Sequence, residues 1–300
     1  MGPAKQRIPH SPLPRAARIA RGLIVLAGTV FALAGATSHA GADGERRYAL
    51  VIGNGAYAYA PLKNPVNDAR AMAASLRGLG FDVDLRENIA LPALLEAMRQ
   101  FAFTGRSYDV RLFYYGGHGI QLDGKNYLLP VGTDIKTEQD IPARSADLGE
   151  FLERVGQFSH GLNILILDAC RNNPFAGDGA PLADGRRVRF RGAALGGLAP
   201  VDAPSGTLVA YSTAPGAIAL DGADGRHSLY TQYLLEQIET PGLPVEQLFK
   251  RVRIAVAAAT QRQQVPWENS SLMGDFCFRV ISDGSCAHTA DLFSGGPRHK

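Results

Sequence analysis

Two short apolar runs in this chain each lead to a side chain that can act as a nucleophile, an acid or a base. Leu112–Tyr115 continues through two glycines to His118, and Asn163–Leu167 continues to Asp168 and Cys170. An apolar run that breaks into small or polar residues is typical of a buried parallel strand. In open α/β sheets, ligands bind at the carboxyl ends of such strands.

A thiol and an imidazole are the two parts of a cysteine nucleophile with its base. If the two strands are neighbours in one sheet, His118 and Cys170 emerge side by side, although about 50 residues separate them. A lone cysteine is ordinarily a small buried hydrophobe. That interpretation is weaker here, because the residues that follow, Arg171 to Pro174, are not core residues.

The elements that position these residues alternate between strand and helix, which predicts an α/β fold with a parallel sheet and helices on both faces.

Asp123-Gly124 predicts a hairpin. Gly53-Asn54-Gly55 lacks the third glycine of a dinucleotide-binding loop, so we reject that motif. We predict strands over 47–53, 81–85, 110–115, 162–167, 207–213 and 272–280, and helices from Pro65 and over 91–103, 145–155, 228–238 and 245–260.

Two other stretches lack an apolar period. Residues 177–205 are rich in Gly, Ala, Pro and Asp, and we expect an exposed, mobile loop there. After Ser282, residues 283–300 are predicted to form a loose tail. The loop also carries a cluster of basic residues: Arg186, Arg187, Arg189 and Arg191.

Residues 1–40 have the pattern of a secretory signal, namely a basic segment to Arg21, an apolar segment over 22–35 and small residues up to Ala40. We expect cleavage after Ala40 and export, to a periplasm or to the medium. An uncleaved membrane anchor is the alternative, although the strongly apolar part is shorter than the roughly 20 residues that a spanning helix needs.

Charge and cysteine usage narrow the classes further. Of 31 Lys and Arg, five lie in the first forty residues, which leaves 26 against 28 Asp and Glu, so overall charge gives no support to a nucleic-acid partner. In an oxidising compartment, an odd number of cysteines favours one reactive thiol, here Cys170. For Cys277 and Cys286, a disulfide and two unrelated thiols remain equally open, whereas a zinc site with His288 lacks a second ligand pair.

The surroundings of the histidine and the cysteine, Tyr-Tyr-Gly-Gly-His-Gly and Leu-Asp-Ala-Cys-Arg, resemble the caspase superfamily, and most closely its bacterial metacaspase and paracaspase branches. The resemblance extends from about Arg46 to Val280 and includes, in the family's order, the motifs at 51–54, 67–69, 211–216 and 228–231. It implies a caspase-like three-layer α/β/α sandwich with a central, mostly parallel six-stranded sheet over residues 41–282.

The resemblance also implies a cysteine endopeptidase with a His118–Cys170 dyad. Cys170 would attack as a thiolate, which a nearby imidazolium favours, and His118 would protonate the leaving amine. The N–H groups of Gly119 and Cys170 would bind the oxyanion. No third side chain is evident, since loop asparagines such as Asn172 and Asn173 usually satisfy turns.

For the substrate, the resemblance implies an acidic pocket that selects Arg or Lys. Asp168 and Asp68 would contribute carboxylates, and Asp221 would stand near the place where caspases hold a substrate aspartate with arginine. The competing interpretations are a helix-start cap for Asp68 and a turn residue for Asp221. The strand that includes Tyr211 and Ser212 would pair with an extended substrate, or would simply be a core strand. His160 and His227 have no motif around them and are expected at the surface.

Three functions compete. The leading one is an exported cysteine peptidase whose partners are protein or peptide substrates, its own arginine-rich loop included. The second is a catalytically silent caspase-like binding or signalling module, against which the presence of both His118 and Cys170 argues. The third is an esterase or amidase, but no Gly-x-Ser-x-Gly elbow supports it. We expect no cofactor, and the sequence leaves a Ca²⁺ requirement open.

Overall fold

The structure is a computed structural model that describes residue 2 and residues 44–104, 107–158, 161–170, 180–181, 187–188, 198–214 and 225–287. For Cys170 and the residues at 180–181 and 187–188, only the backbone is described. Several predictions therefore lie outside the described residues. They are the signal segment, most of the arginine-rich loop, and the placements of Asp221, His160, Asn172 and Asn173.

The main sheet contains six strands in one hydrogen-bonded path: β1 (Arg47–Gly53), β2 (Phe81–Glu87), β3 (Val110–Leu122), β6 (Leu162–Cys170), β9 (Thr207–Tyr211) and β10 (Trp267–Ser270). Their order is β10-β9-β6-β3-β1-β2, and all neighbours are parallel except β9 and β10. Two short strands, β4 (Lys125–Leu128) and β5 (Ala146–Asp147), extend the sheet from the end of β3. The predicted hairpin at Asp123-Gly124 is the turn between β3 and β4.

Helices cover both faces of the sheet, which gives the three-layer α/β/α sandwich that the sequence predicts. The alternation of each strand sends one set of apolar side chains to each face. Pro65 occupies the first position of α1, where a backbone N–H has no partner within the helix, so the missing N–H of proline costs no hydrogen bond. The helices are α1 (Pro65–Gly78), α2 (Leu91–Phe103), α3 (Asp140–Arg144), α4 (Leu148–Phe158), α5 (Leu229–Ile238) and α6 (Val245–Ala259).

The core is divided between the two faces of the sheet. Ile164 and Ile166 of β6 pack with residues of α1, α5 and α6, whereas Leu165 and Leu167 pack with residues of α2 and α4. Burying each such side chain stabilises the fold by roughly 1.5–3 kcal/mol. Because β3 and β6 are buried on both faces, their carboxyl ends are held firmly in place.

A buried arginine fastens α2 to the sheet. Arg111 of β3 is 1% exposed and donates hydrogen bonds to the carbonyl oxygens of Phe101 and Ala102 and to the side chain of Asn163. The last carbonyls of a helix attract positive charge. Burial nevertheless lowers the pKa of Arg111 to about 10.

The C-terminal predictions need correction. The last strand is β10, and no strand forms over residues 272–280. That segment makes isolated bridges, in which Arg279 pairs with Pro241 and Cys277 pairs with Pro244. The expected loose tail is held as far as residue 287, since Cys286 forms a disulfide with Cys277 and Ala287 donates to the carbonyl of Gly242.

The stretch at 177–205 is also more ordered than predicted where it is described. A two-stranded hairpin pairs β7 (Ala180–Pro181) with β8 (Arg187–Val188). Leu198 is buried in the core on the α2 and α4 face. Asn126 holds the segment that follows, because its side chain exchanges two hydrogen bonds with the backbone of Ala199.

Candidate active site

The register of the central strands brings His118 and Cys170 together. β3 and β6 pair in parallel from Val110 opposite Leu162 to His118 opposite Cys170. Adjacent strands lie about 4.8 Å apart. The backbones of the two residues are therefore neighbours at the carboxyl edge of the sheet, as the sequence predicts.

The His118 ring is held by a backbone group. Its Nε2 lies 2.7 Å from the carbonyl oxygen of Ala60, in the loop between β1 and α1. A carbonyl oxygen only accepts, so this contact assigns the proton to Nε2 and leaves Nδ1 with its lone pair. In the described part of the chain, Nδ1 is buried without a hydrogen-bond partner.

Aromatic rings enclose this imidazole. The centroids of Tyr57 and Tyr59 lie 4.4 Å and 6.2 Å from the centroid of His118, and His118 is only 3% exposed. Burial lowers the pKa of His118 to about 4, against the opposing effect of the Ala60 hydrogen bond. These surroundings favour a neutral ring near pH 7, not the resting imidazolium that the sequence analysis invokes.

Two tyrosine hydroxyls hold the backbone of His118. Its N–H donates to the Tyr57 hydroxyl at 3.0 Å, and that hydroxyl donates to the carbonyl of Leu129 at 2.9 Å. The Tyr115 hydroxyl lies 3.0 Å from the His118 carbonyl oxygen and 2.7 Å from that of Leu129. The N–H and the carbonyl of His118 are therefore both held by hydrogen bonds, which fixes the backbone position from which the ring extends.

The glycines around His118 have different roles. A Cβ on Gly117 would stand 2.6 Å from the Tyr57 hydroxyl, so the tyrosine contacts require glycine there. Leu129 donates to the His118 carbonyl, and therefore Gly119 and Leu128 form a non-hydrogen-bonded pair of the β3–β4 ladder. The N–H of Gly119 consequently points away from β4 and is not used by the β3–β4 ladder. An N–H group that binds an oxyanion has to be free of such a ladder bond.

Asp168 lies beneath this edge in a shell of hydroxyl groups. It is 5% exposed, and its Oδ2 accepts from Thr231 Oγ1 at 2.8 Å and from Ser228 Oγ. The Tyr114 hydroxyl lies 3.5 Å away. Burial raises the pKa of Asp168, and the hydrogen bonds from Ser228 and Thr231 oppose that effect.

Asp68 also contacts Ser228. It lies in the first turn of α1 and is 1% exposed, yet its carboxylate accepts from the N–H of Ser228 at 3.0 Å, at the start of a different helix. Ser228 is the N-cap of α5, where its Oγ accepts from the N–H of Thr231. Two carboxylates therefore converge on one helix N-terminus, whose dipole stabilises negative charge.

His227 is the site residue that the sequence analysis missed. Its Nδ1 lies 2.7 Å from Oδ1 of Asp68, while the side chain remains 28% exposed. The side chain is partly exposed, as expected of a surface histidine, but its contact with a buried carboxylate was not expected. Its position directly before Ser228 in the motif at 228–231 was the only signal in the sequence.

The expected substrate strand is occupied. β9 pairs with β6 on one side and with β10 on the other, where Tyr211 stands opposite Trp267. Ser212 donates its N–H to Leu167 and accepts from the side chain of Gln264 at its carbonyl. Tyr211 is buried in the core. The main-chain groups of residues 208–212 are therefore already engaged within the fold, which favours the core-strand interpretation, and a substrate-binding role for Tyr211 and Ser212 stays a prediction.

Among the described residues, a backbone carbonyl, that of Ala60, orients the His118 ring, and not an asparagine side chain. No residue type marks a carbonyl, so this contact cannot be found from the sequence. Within the described residues, no group of three or more His, Cys, Asp or Glu side chains is placed to hold a metal ion. None of the described helices is both long and apolar enough to cross a membrane.

Parallel strands that end together in His118 and Cys170, in an α/β/α sandwich, define a caspase-like protein. The family model for the caspase domain matches residues 46–277, and the chain belongs to that family. Among curated proteins it is similar to mucosa-associated lymphoid tissue lymphoma translocation protein 1 of Homo sapiens and to its homolog in Mus musculus. Each is 29% identical over 146 residues, which cover 47% of this chain and 17% of the relative's length.

Proposed function

We propose that this protein is a cysteine endopeptidase with a His118–Cys170 dyad that cleaves after Arg or Lys. The observation that carries the proposal is the final register pair of β3 and β6, which makes the two residues neighbours. Membership of the caspase-domain family supports peptidase activity.

The surroundings of His118 support a particular role for each of its ring nitrogens. The neutral ring takes the thiol proton at Nδ1 as Cys170 attacks the scissile carbonyl, because Nε2 is engaged by Ala60. The N–H groups of Gly119 and Cys170 stabilise the oxyanion. His118 then gives the proton to the leaving amine, and water hydrolyses the acyl-enzyme in the second half of the reaction.

The preference for a basic residue rests on Asp68 and Asp168. Two carboxyl groups that both bind Ser228 lie next to the end of β6. A guanidinium group binds such oxygens through charge-assisted hydrogen bonds that can be bidentate. Asp221 remains a proposed third member.

The arginine-rich loop follows as a proposed substrate of the enzyme itself. Cleavage after one of its arginines, Arg186, Arg187, Arg189 or Arg191, would nick the chain. The nick is expected in active protein and not in the Cys170→Ala variant, and an active enzyme whose chain stays intact on long incubation would refute it. With the pattern of residues 1–40, we place the active protein in the periplasm or the medium.

The test is a library of fluorogenic peptides varied at the residue before the scissile bond, offered to the purified protein with and without Ca²⁺. We expect turnover of Arg and Lys peptides that disappears in Cys170→Ala. Binding without turnover in the unmodified protein would favour the silent binding module instead. Equal cleavage after Asp and Arg would refute the acidic pocket.

A further inference from the structure

A pocket that binds a cationic side chain must also be stable when it is empty. Burying an ionised carboxylate without a partner is costly. Asp68 is 1% exposed, and among the described residues the N–H of Ser228 and the ring of His227 contact its carboxylate. These two groups differ in how firmly they are held.

Ser228 is a fixed support. Its side chain caps α5 and donates to Asp168, while its backbone N–H donates to Asp68, so it cannot leave without exposing the helix terminus. His227 precedes the helix, and its side chain is 28% exposed. It can therefore turn towards solvent without breaking the hydrogen bonds of α5.

We propose that His227 stands in for the substrate's cation: its ring holds Asp68 in the resting protein, and the guanidinium of an incoming arginine displaces it. This inference rests on the proposed function, since it assumes that Asp68 binds a basic side chain. His227 is then a residue that sets the affinity for arginine.

The direction of the effect follows from charge. A permanent cation at position 227 competes with an arriving guanidinium for the Asp68 carboxylate, because both form charge-assisted hydrogen bonds to it. A neutral amide at that position competes less, since it carries no charge.

Other charged groups near His227 must be separated from it. Asp68 of α1 is in direct contact, and Asp168 of β6 lies behind Ser228. Arg226 precedes it in the chain. The decisive quantity is therefore the difference in affinity between the histidine protein and variants at position 227.

The experiment uses the full chain with Cys170→Ala, so that binding is measured without chemistry. Benzamidine serves as the cationic probe and benzamide as its neutral twin. Calorimetry gives the affinity of each protein for the two probes. His227→Asn keeps an amide N–H near the position of Nδ1 but carries no charge, and His227→Lys places a permanent cation there.

We expect benzamidine to bind His227→Lys roughly 10-fold more weakly than the histidine protein, because a charged lysine is harder to displace from Asp68. His227→Asn should bind benzamidine at least as tightly as the histidine protein does. Equal affinity of the three proteins for benzamidine, with benzamidine still preferred over benzamide, would overturn this inference alone. Equal binding of the two probes would overturn the acidic pocket and this inference together.

The unmodified histidine provides a second readout if the variants do not fold. The ring resonances of His227 in the Cys170→Ala protein should move towards those of a solvent-exposed histidine when benzamidine is added. Resonances that stay unchanged at saturation would refute the displacement.

Discussion

The two halves of the candidate site stabilise their reactive groups by opposite means. Around His118, burial among aromatic rings keeps the imidazole neutral, against the opposing effect of the Ala60 carbonyl. Around Asp68 and Asp168, hydroxyl groups and a helix N-terminus support two buried carboxylates. The difference fits the two roles that we propose, transfer of a proton in one half and binding of a cation in the other. Substitutions in the first half should therefore change kcat, and those in the second should change KM and specificity.

The largest effect is expected from the dyad. Cys170→Ala and His118→Ala should each lower kcat by roughly 10³-fold or more, because each removes one part of a single chemical step. The double variant should be scarcely worse than either single one. Steady-state kinetics with the best library peptide, and circular dichroism as a control of folding, provide the measurement. Losses that simply multiply would contradict a coupled pair.

The acidic half should respond next. Asp168→Asn removes one charge-assisted contact, worth roughly 1.5–3 kcal/mol, so kcat/KM for Arg peptides should fall about 10- to 150-fold. The matched control is Asp134→Asn, which alters an exposed ion pair with Lys136. Peptides with citrulline in place of arginine should be affected little by either change. Equal losses for arginine and citrulline peptides would show that Asp168 acts on the fold and not on the substrate.

The neutral state of His118 should appear in the stability of the protein. Its pKa of about 4 lies below the usual value, so the unfolded chain binds a proton that the folded chain does not. Stability is complete above about pH 6.5 and is lost as the pH falls towards 4. At about 1.4 kcal/mol for each pKa unit, the contribution lost by pH 5 is about 2 kcal/mol.

Urea unfolding at pH 7 and pH 5 measures this effect. In His118→Gln, the loss of unfolding free energy between the two values should be smaller by about 2 kcal/mol, because the effects of all other groups are common to both proteins. Identical losses in the two proteins would mean that His118 is not buried as a neutral ring.

The smallest effect should come from the tyrosine that holds the backbone of His118. Tyr57→Phe leaves a buried N–H without its acceptor, which costs about 1–2 kcal/mol in unfolding free energy. It should lower kcat more than it raises KM. Tyr108→Phe is the matched control, because it removes a hydroxyl that meets Asp82 at the exposed edge of the sheet. Equal effects of the two variants on kcat would refute a positioning role for Tyr57.

The sequence predicted the layers of the fold and the meeting of His118 with Cys170, because apolar runs and strand ends are written in residue types. It did not predict the contact of the Ala60 carbonyl with His118, since backbone groups follow from loop path and register. It placed a substrate at Tyr211 and Ser212, where β10 pairs with Tyr211 and the side chain of Gln264 binds the Ser212 carbonyl. A predicted strand does not reveal which of its edges is free. His227 was missed because its partner is 159 positions away.

The central claim is that Cys170 is an activated nucleophile next to a pocket for a cation. Intact-mass analysis with peptidyl acyloxymethyl ketones that carry Arg, citrulline or Asp before the reactive group tests both parts at once. We expect the Arg probe to add one label, at Cys170, in the unmodified protein and not in His118→Ala, with little labelling by the other two probes. Absence of labelling by the Arg probe, or equal labelling by the Asp probe, would contradict the account.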